Sequence, residues 1–414
     1  MTNTLYRWLL FMKKPSNKIW FVPAYWAIFA AIFAFISRFL GQILNYGVFP
    51  DISRDTLEGL LTVIASSMLS VSIFSLSIMV SAFSSVSSGA TPRATELIMG
   101  DDRTRTAISS FISAFIFAVI AKTALGMEYY GQNGRFLLFI GTIAVLCYLI
   151  ITLIRWVFTL SHLGGLANTL NKIKQKTEQA LENHYKQPYF GATWQGSLKP
   201  TMQVLYAEKS GYLTHINMLS LQHLAEENNT HIHVAVRPGK LLFPNTPIAY
   251  INDPQQDANA FRSCFFIAVQ RDYEQDPEWG FIVLREIAQR ALPPTTNDPD
   301  TAISVMVTML NLLTKVPPTK DTETNYDRLS IIKADKYDWI SQSFLPIARD
   351  GSELVEIGFV MQKILAGISQ NTTDPEIADA AQRVAKISLS RFQQQLAFKD
   401  DIEAVEQEYH QHFE

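Results

Sequence analysis

Cysteine and charge are both scarce in this chain of 414 residues, and each scarcity excludes a class of protein. The two cysteines, Cys147 in an apolar run and Cys264 in a predicted strand, have no spacing typical of a disulfide framework or a metal centre. We interpret both as packing thiols. Charged residues make up 18% of the chain and the formal net charge is −3. Nucleic-acid binding calls for a basic patch or stripe, so we exclude nucleic acid as a partner.

Enzyme motifs are missing as well. The chain contains no P-loop, no zincin helix and no nucleophile elbow. We therefore predict that the protein is not an enzyme, with no catalytic residue and no cofactor. The histidines His215, His223, His231 and His233 lie close together in the sequence, but no carboxylate or cysteine accompanies them at ligand spacing. We predict hydrogen-bonded or exposed histidines and no metal.

Long apolar runs are what the chain does have, and they are concentrated before about Leu163. Within residues 1–163, four runs are long enough to cross a bilayer of about 30 Å as helices, at about 19–46, 57–88, 106–127 and 136–160. Lysine and arginine precede the first run, lie between the second and third, and follow the fourth. The positive-inside rule then places both termini in the cytoplasm, and we predict a multi-pass membrane domain in a lipid bilayer.

Small and hydroxylated residues recur along one side of the second span. At about 100° per residue they fall within an arc of about 100°, flanked by Gly59 and Ser88. We call the following residues the serine stripe: Thr62, Ser66, Ser70, Ser77, Ser81 and Ser84. A face of this kind either packs closely against other helices or lines a polar path, and the sequence leaves both interpretations open.

Two basic residues, Arg38 and Lys122, lie inside the outer thirds of their predicted spans. A cation in this position either reaches the headgroups or pairs with an acid at a helix end, for which Glu128, Asp51 and Asp55 are the candidates. The alternative is a cationic outer vestibule that selects anions.

The loop between the second and third spans is predicted to be a structured elbow. Thr91 can cap a short helix that has Pro92 at its first position. Arg93 follows at the cytoplasmic mouth of the serine stripe. It is either a headgroup anchor or part of an inner gate.

After the spans we predict a cytoplasmic α+β region. A connector helix at 164–188 leads to a β module at 189–260 and a mixed, mainly helical domain at 261–414. The segments SGYLTHI, HIHVAV, RPGK and PIAYI of the β module resemble barrel-sandwich hairpins of the biotinyl or lipoyl type, but the lysine that those carriers modify is missing. We therefore predict a small β-barrel or sandwich-like module with a structural or docking role.

Charged residues gather at the turns of the last domain. A helix is predicted from about Pro277 to Ala291, and Asp298 caps a second helix that has Pro299 at its first position. The polar cluster predicted around these turns comprises Arg271, Gln275, Asp276, Arg290, Asn297 and Asp298. It forms either a buried ion-pair network, in which Arg290 pairs with Asp298, or a binding site.

The block REIAQRALPPTTNDPDTA, together with the Ser-rich second span that runs into ATPR, resembles the bacterial inner-membrane proteins grouped as domain of unknown function 2254. The residues that fit the family pattern are Ile287, Ala288, Arg290, Ala291, Leu292, Pro294, Asn297, Asp298, Pro299, Thr301 and Ala302. Pro293 and Thr295 depart from it, which removes a serine hydroxyl and a glycine. The resemblance implies a bacterial inner-membrane protein without an assigned activity.

Two functions from different classes remain. The first is a homo-oligomeric channel or passive solute pathway, in which the second span lines the axis and the cytoplasmic region regulates it. The second is a non-transporting membrane scaffold or sensor, whose cytoplasmic region docks a protein partner or a ligand.

Overall fold

The computed structural model describes residues 50–89, 91–94, 102–160, 165–252, 258–315 and 325–414, together with Tyr25, Ile28, Ile32 and Ile36. These four single positions are helical and exposed, while the rest of the first predicted span lies outside the described residues. The chain divides into two compact units. The N-terminal unit ends at Thr169, and the C-terminal unit is Leu170–Glu414.

Among the described residues of the N-terminal unit, three helices are long and apolar enough to cross a membrane: α1 (Arg54–Gly89), α2 (Asp102–Gly126) and α3 (Gln132–Leu160). They correspond to the second, third and fourth predicted spans, which are confirmed as membrane-length helices. Between α1 and α2, the backbone N–H of Ala94 donates to the Thr91 hydroxyl at 3.2 Å, so the predicted cap of the short elbow helix is present.

The core of this unit is formed by one face of each helix. From α1 it includes Leu57, Leu61, Ile64 and Met68. From α2 it includes a row of small and aromatic residues: Ala107, Phe111, Ala114, Ala118 and Ala121. Alanine at this spacing lets helix backbones approach closely in a lipid environment, where no hydrophobic driving force holds helices together.

The C-terminal unit alternates short strands with helices. Its elements are α4 (Leu166–Lys186, which crosses the boundary between the units), β1 (Gln203–Tyr206), β2 (Gly211–Ile216), α5 (Met218–Glu227), β3 (Ile232–Val234), β4 (Leu241–Leu242), β5 (Pro247–Ile251), α6 (Ala258–Arg262), β6 (Phe265–Ala268), α7 (Pro277–Ala291), α8 (Pro299–Thr314), β7 (Leu329–Ile331), α9 (Lys336–Asp350), α10 (Val355–Asn371), α11 (Pro375–Gln395) and α12 (Lys399–Phe413).

Capping side chains explain where several of these helices begin. The carboxylates or amide of Asn217, Asp298, Asp335 and Asp374 accept backbone N–H groups in the first turns of α5, α8, α9 and α11. Such a cap satisfies a donor that the helix itself cannot pair. Asp298 and Pro299 therefore play the local roles that the sequence predicts.

The strands form two sheets that share one hydrophobic core. The larger sheet has the order β1-β5-β3-β7, in which β3 and β7 are parallel and the other pairs antiparallel. The smaller sheet has the order β4-β2-β6 and is antiparallel. No barrel closes among the described strands, so the barrel form of the predicted barrel or sandwich-like module is wrong. Closure would need the edge strands of one sheet to hydrogen-bond to those of the other. Both β6 and β7 come from the part of the chain predicted to be mainly helical.

Helical spacing in the sequence predicts C-terminal helices at about Tyr337 to Ile347, Leu354 to Ile368 and Pro375 to His410, and the structure follows these positions with one exception. A single helix from Pro375 to His410 is predicted, whereas α11 ends at Gln395 and α12 begins at Lys399. Leu396 and Phe398 between them have extended backbone angles, and Leu396 is buried. The chain turns because Leu396 enters the core, and its burial outweighs the continuing helical pattern. The composition of the chain from about Pro317 to Asn325 predicts a flexible segment, and this segment lies outside the described residues, apart from Asn325.

Candidate functional site

The serine stripe faces away from α2 and α3, the two described helices that α1 packs against. Leu57, Leu61 and Ile64 on the opposite side of α1 are buried, whereas Thr62, Ser66, Ser70, Ser77, Ser81 and Ser84 are all exposed. At about 100° per residue the two sets are centred on opposite sides of the helix. Packing against α2 and α3 therefore does not account for the stripe. The hydroxyls that are buried on α1 are those of Ser72 and Ser75.

The hydroxyl groups of the stripe have a common orientation along the helix. Thr62, Ser66, Ser70 and Ser77 each donate to the backbone carbonyl four residues earlier, at 2.6–3.1 Å. With the proton turned to the backbone, each oxygen keeps lone pairs available on the outer surface of the helix. The stripe therefore presents hydrogen-bond acceptors, which suit water or a cation better than an anion.

Lys122 lies at one end of the stripe. Its Nζ donates to the Thr62 hydroxyl at 2.8 Å and lies 3.5 Å from a Glu58 carboxylate oxygen. Glu128, Asp51 and Asp55 were the candidate partners for a cation at this depth, but Lys122 lies beside Glu58 instead, while Glu128 pairs with Arg54 and Asp51 with Arg135. A cation whose charge is balanced by Glu58 does not by itself form an anion-selecting vestibule.

Two further ion pairs connect the helices at this end of the bundle. Arg54 Nη1 lies 3.4 Å from Glu128 Oε1, and the same guanidinium donates to the carbonyl of Gly126 at 3.1 Å. Arg135 lies 2.6 Å from Asp51. These bonds join the start of α1 to the end of α2 and the start of α3.

Of the two remaining basic candidates, the structure describes Arg93. Arg38 lies outside the described residues. Arg93 is exposed in the short elbow helix, beyond the other end of α1. The structure therefore does not bring Arg93 together with Lys122.

In the C-terminal unit, Arg271 and Asp276 form a buried pair. The Arg271 guanidinium donates to both carboxylate oxygens of Asp276 at 2.7 and 2.8 Å, and to Glu278 at 2.7 Å. The guanidinium carbon Cζ also lies over the ring of Trp279, 5.3 Å from the ring centroid. Burial, the largest effect, raises the pKa of Asp276 to about 6 even though Arg271 opposes the shift. This bond closes the loop between β6 and α7 on itself.

Gly239 explains how the RPGK turn approaches this pair. Its φ of +96° is in the left-handed region, and a Cβ at this position would lie 2.5 Å from Asp276 Oδ2 and 2.6 Å from Arg271 Nη2. Glycine is needed on both counts, because a side chain would be strained and would collide with the pair. The arrangement leaves no room for a ligand between the turn and the pair.

Gln275 fastens the same loop to β2. Its side chain accepts from the backbone N–H of Ile216 at 2.9 Å and donates to the carbonyl of Ile216 at 3.3 Å. Of the six residues of the predicted polar cluster, the structure brings together Arg271, Gln275 and Asp276.

The other three residues of that cluster form a separate turn. The Asp298 carboxylate accepts from Thr301 N at 3.1 Å and from the Thr301 hydroxyl at 2.6 Å. Asn297 has a φ of 46° and is exposed. Arg290 is exposed as well, so it is not the buried cation that was predicted. The turn is a helix cap.

His215 lies beside two acidic residues that the sequence does not associate with it. Its Nε2 lies 3.0 Å from a Glu274 carboxylate oxygen, and one ligand atom from each of His215, Asp272 and Glu274 lies within 4.8 Å of the others. His231 instead stacks on Trp194, and His233 bonds to the Ser330 hydroxyl at 2.7 Å. His223 lies 3.5 Å from Glu226 on the surface.

A second buried polar group, which sequence reasoning missed, surrounds Asp374. Tyr185 donates to this carboxylate at 2.9 Å, and Lys336 binds the same oxygen. His184 is buried between the rings of Tyr185 and Trp339. Burial first, and then the charges of Arg237 and Lys336, lower the pKa of His184 to about 3. The histidine is therefore neutral at physiological pH.

Sequence signals for the missed residues are weak. Glu58, His184 and Glu274 are single polar residues in unremarkable segments, and their partners are distant in the chain, so only the fold reveals the contacts. A histidine next to a tyrosine in a predicted connector helix carries no pattern that distinguishes it from a surface pair.

Comparison with known proteins gives a family for the chain. A family model described as "Predicted membrane protein (DUF2254)" matches residues 16–367. This range includes α1 to α3, both sheets and most of α10. No curated protein and no solved structure matches the chain.

Proposed function

This chain belongs to the DUF2254 family of predicted membrane proteins, and from that premise we propose that it forms a homo-oligomeric channel or passive pathway for water or small cations across the bacterial inner membrane. The observation that carries the proposal is the position of the serine stripe, on the side of α1 opposite its packed face. The termini and the C-terminal unit are in the cytoplasm in this proposal.

The exposed stripe supports oligomerisation in this proposal. A row of six hydroxylated residues facing acyl chains would waste its remaining hydrogen-bonding capacity in a solvent that has no partner to offer. Three described helices are too few to enclose a path within one chain, whereas copies arranged around an axis place their stripes together. Outward-facing acceptor lone pairs then line that axis, which favours cations and water.

Cysteine scanning tests this arrangement in the full-length protein. In a background with Cys147→Ser and Cys264→Ser, Ser66→Cys, Ser70→Cys and Ser77→Cys should react with a membrane-impermeant thiol reagent. Ser70→Cys should also cross-link between copies under oxidation. Ile154→Cys on α3 is the control, because Ile154 is 65% exposed but carries no stripe.

Reconstituted bilayers provide the functional measurement. The wild-type protein should conduct, and reaction of the thiol reagent at Ser70→Cys should reduce the current. Protection of all three stripe positions, together with no conductance, would exclude the pathway.

A scaffold is the second candidate, favoured by an apolar row on the C-terminal unit. Leu241, Tyr212 and Ala268 are directly opposite one another across the smaller sheet, so they share one face. Leu241 and Ala268 are exposed, and Val269 beside them is 89% exposed. Such a row suits a protein partner. If Leu241→Glu with Val269→Glu abolishes capture of one defined partner while the protein conducts nothing, scaffolding replaces the channel.

A further inference from the structure

We propose that His215, Asp272 and Glu274 bind a divalent transition-metal ion, for which Zn²⁺ is the reference. One nitrogen and two carboxylate oxygens are ligands that Zn²⁺ accepts, and three protein ligands leave a coordination position for water. The proposal is independent of the channel. It departs from the sequence-based expectation of no metal because the fold brings together residues that are 59 positions apart in the chain.

The geometry is close to what coordination needs. The three ligand atoms lie within 4.8 Å of one another, and His215 Nε2 is already 3.0 Å from Glu274. Around a tetrahedral ion with bonds of about 2.0–2.2 Å, ligand atoms are about 3.4 Å apart. Both residues are exposed, and the Asp272 carboxylate keeps its second oxygen for the ion while Oδ1 accepts from the backbone N–H of Glu274.

The imidazole is held in place by its position on β2. His215 is only 5% exposed, so its ring cannot turn freely. A register shift lies between Leu213 and His215 in the pairing of β2 with β6, and the Thr214 hydroxyl donates to the carbonyl of Phe266 at 3.0 Å. Bulges of this kind redirect the side chains next to them.

The loop that carries the carboxylates is also fixed. Gln275 binds both backbone groups of Ile216, which directly follows His215, so Glu274 is kept beside the imidazole. The Asp272 carboxylate accepts from the backbone N–H of Glu274 at 2.9 Å. The Arg271–Asp276 pair then closes the loop at both ends. A site on a loop fixed in this way binds metal with less ordering cost than a flexible one.

Electrostatics favour a cation at this position. Two carboxylates within 4.8 Å of each other repel when both are ionised, and a divalent ion between them turns that repulsion into attraction. Once bound, the ion would connect β2 to the loop between β6 and α7. It would thereby stiffen the segment that positions the buried Arg271–Asp276 pair.

Zinc binding to the full-length, untagged protein in detergent, after removal of metal with a chelator, tests the proposal. Titration calorimetry should show one Zn²⁺ per chain. Asp272→Asn and Glu274→Gln should each weaken binding by at least about tenfold, which corresponds to about 1.4 kcal/mol. These exposed positions keep their shape when the charge is removed. Mg²⁺ should compete poorly, since it prefers oxygen ligands over imidazole.

Glu226→Gln is the matched control, because Glu226 also lies beside a histidine, His223, at 3.5 Å on the surface. Zinc should bind this variant as it binds the wild type. Hydrogen exchange should show that Zn²⁺ protects the backbone at 269–276 in the wild type and not in Glu274→Gln. Equal zinc affinity in all four proteins, or no uptake by the wild type at about 100 μM (about 5.5 kcal/mol of binding free energy), overturns the site.

Discussion

At the scale of single residues, we expect the Asp298 cap to contribute more to stability than the exposed Arg290. Asp298 accepts two hydrogen bonds from Thr301. Asp298→Ala should therefore lower the free energy of unfolding by about 1 kcal/mol, the usual cost of losing a cap. Arg290→Ala should cost less than about 0.5 kcal/mol, because exposed charges contribute little. Urea unfolding of the full-length protein, monitored by hydrogen exchange in α8, measures the change in unfolding free energy for both variants.

Asp298→Asn is the control for this prediction, since an asparagine oxygen also caps a helix. It should retain most of the stability. A loss above about 3 kcal/mol in Arg290→Ala would contradict the prediction, because it would indicate a buried ion pair. Level or raised stability in Asp298→Ala would instead indicate a residue kept for ligand binding.

Gly280 in α7 is a residue whose lack of a side chain sets a helix contact. A Cβ there would lie 2.7 Å from Thr177 Cβ on α4 and would also collide with the Thr177 hydroxyl. Thr177 is fully buried, so the two helices would have to separate. Gly280→Ala should lower the free energy of unfolding by about 1–3 kcal/mol, as overpacking does. Thermal melts of the full-length protein in detergent measure the change.

Gly367 in α10 is the matched control. A Cβ at that position meets only the tip of the flexible Leu310 side chain, at 3.3 Å. Gly367→Ala should therefore be neutral or should stabilise the protein by up to about 1 kcal/mol, because alanine favours the helix. Equal effects of the two substitutions would mean that contact with Thr177 is unimportant.

At the scale of elements, α4 carries a pH dependence through His184. Its pKa of about 3 lies below the value of about 6.5 in the unfolded chain. As the pH falls below 6.5, the unfolded chain takes up a proton that the folded protein does not. The contribution of neutral His184 to the free energy of unfolding is therefore fully present above pH 6.5. It is lost progressively towards pH 3, by an amount on the order of 4 kcal/mol.

His184→Gln should flatten the dependence of unfolding free energy on pH between about 6.5 and 3. Hydrogen exchange in α4 and α9 of the full-length protein, measured across this window, follows the change. His223→Gln is the control, because His223 is exposed, and it should leave the slope unchanged. An unaltered slope in His184→Gln would show that the histidine ionises in the folded state.

Element boundaries show what local sequence decides. Pro277, Asp298 and Pro299 are signals for the start of a helix, and α7 and α8 begin at the positions that these residues predict. The break between α11 and α12 has neither glycine nor proline to mark it, because burial of Leu396 causes it. Periodicity likewise predicted which residues share the serine stripe, but it carries no information about the direction in which a helix face points.

At the scale of the whole molecule, contacts between distant segments decide what local pattern cannot. His215 meets Glu274, and β3 pairs with β7, only after the chain has folded back over 59 and about 97 residues respectively. Neither contact leaves a periodic trace in the sequence. Membrane helices were predictable because their signal is length and composition, which need no partner.

In the proposed channel, the ion pair of Lys122 with Glu58 sets the charge balance at one end of the serine stripe. In the wild type the two charges offset each other beside Thr62, at one end of the stripe. Glu58→Gln leaves the positive charge of Lys122 without its balancing carboxylate. The cation current should therefore fall several-fold, and the reversal potential should shift towards that of anions. Lys122→Met leaves the carboxylate alone, and it should raise cation selectivity. Planar bilayers with the full-length protein under a salt gradient measure both.

Two comparisons make this prediction specific to the stripe. The double variant with Glu58→Gln and Lys122→Met should return towards wild-type selectivity, because it restores neutrality. Asp51→Asn removes a charge at the same end of the bundle, but Asp51 pairs with Arg135 on α3, so selectivity should change little. Single-variant shifts should also fade between about 0.1 M and 1 M salt, as the screening length falls from about 10 Å to about 3 Å. Equal shifts in Asp51→Asn and Glu58→Gln would mean that the stripe does not lead to the conducting path.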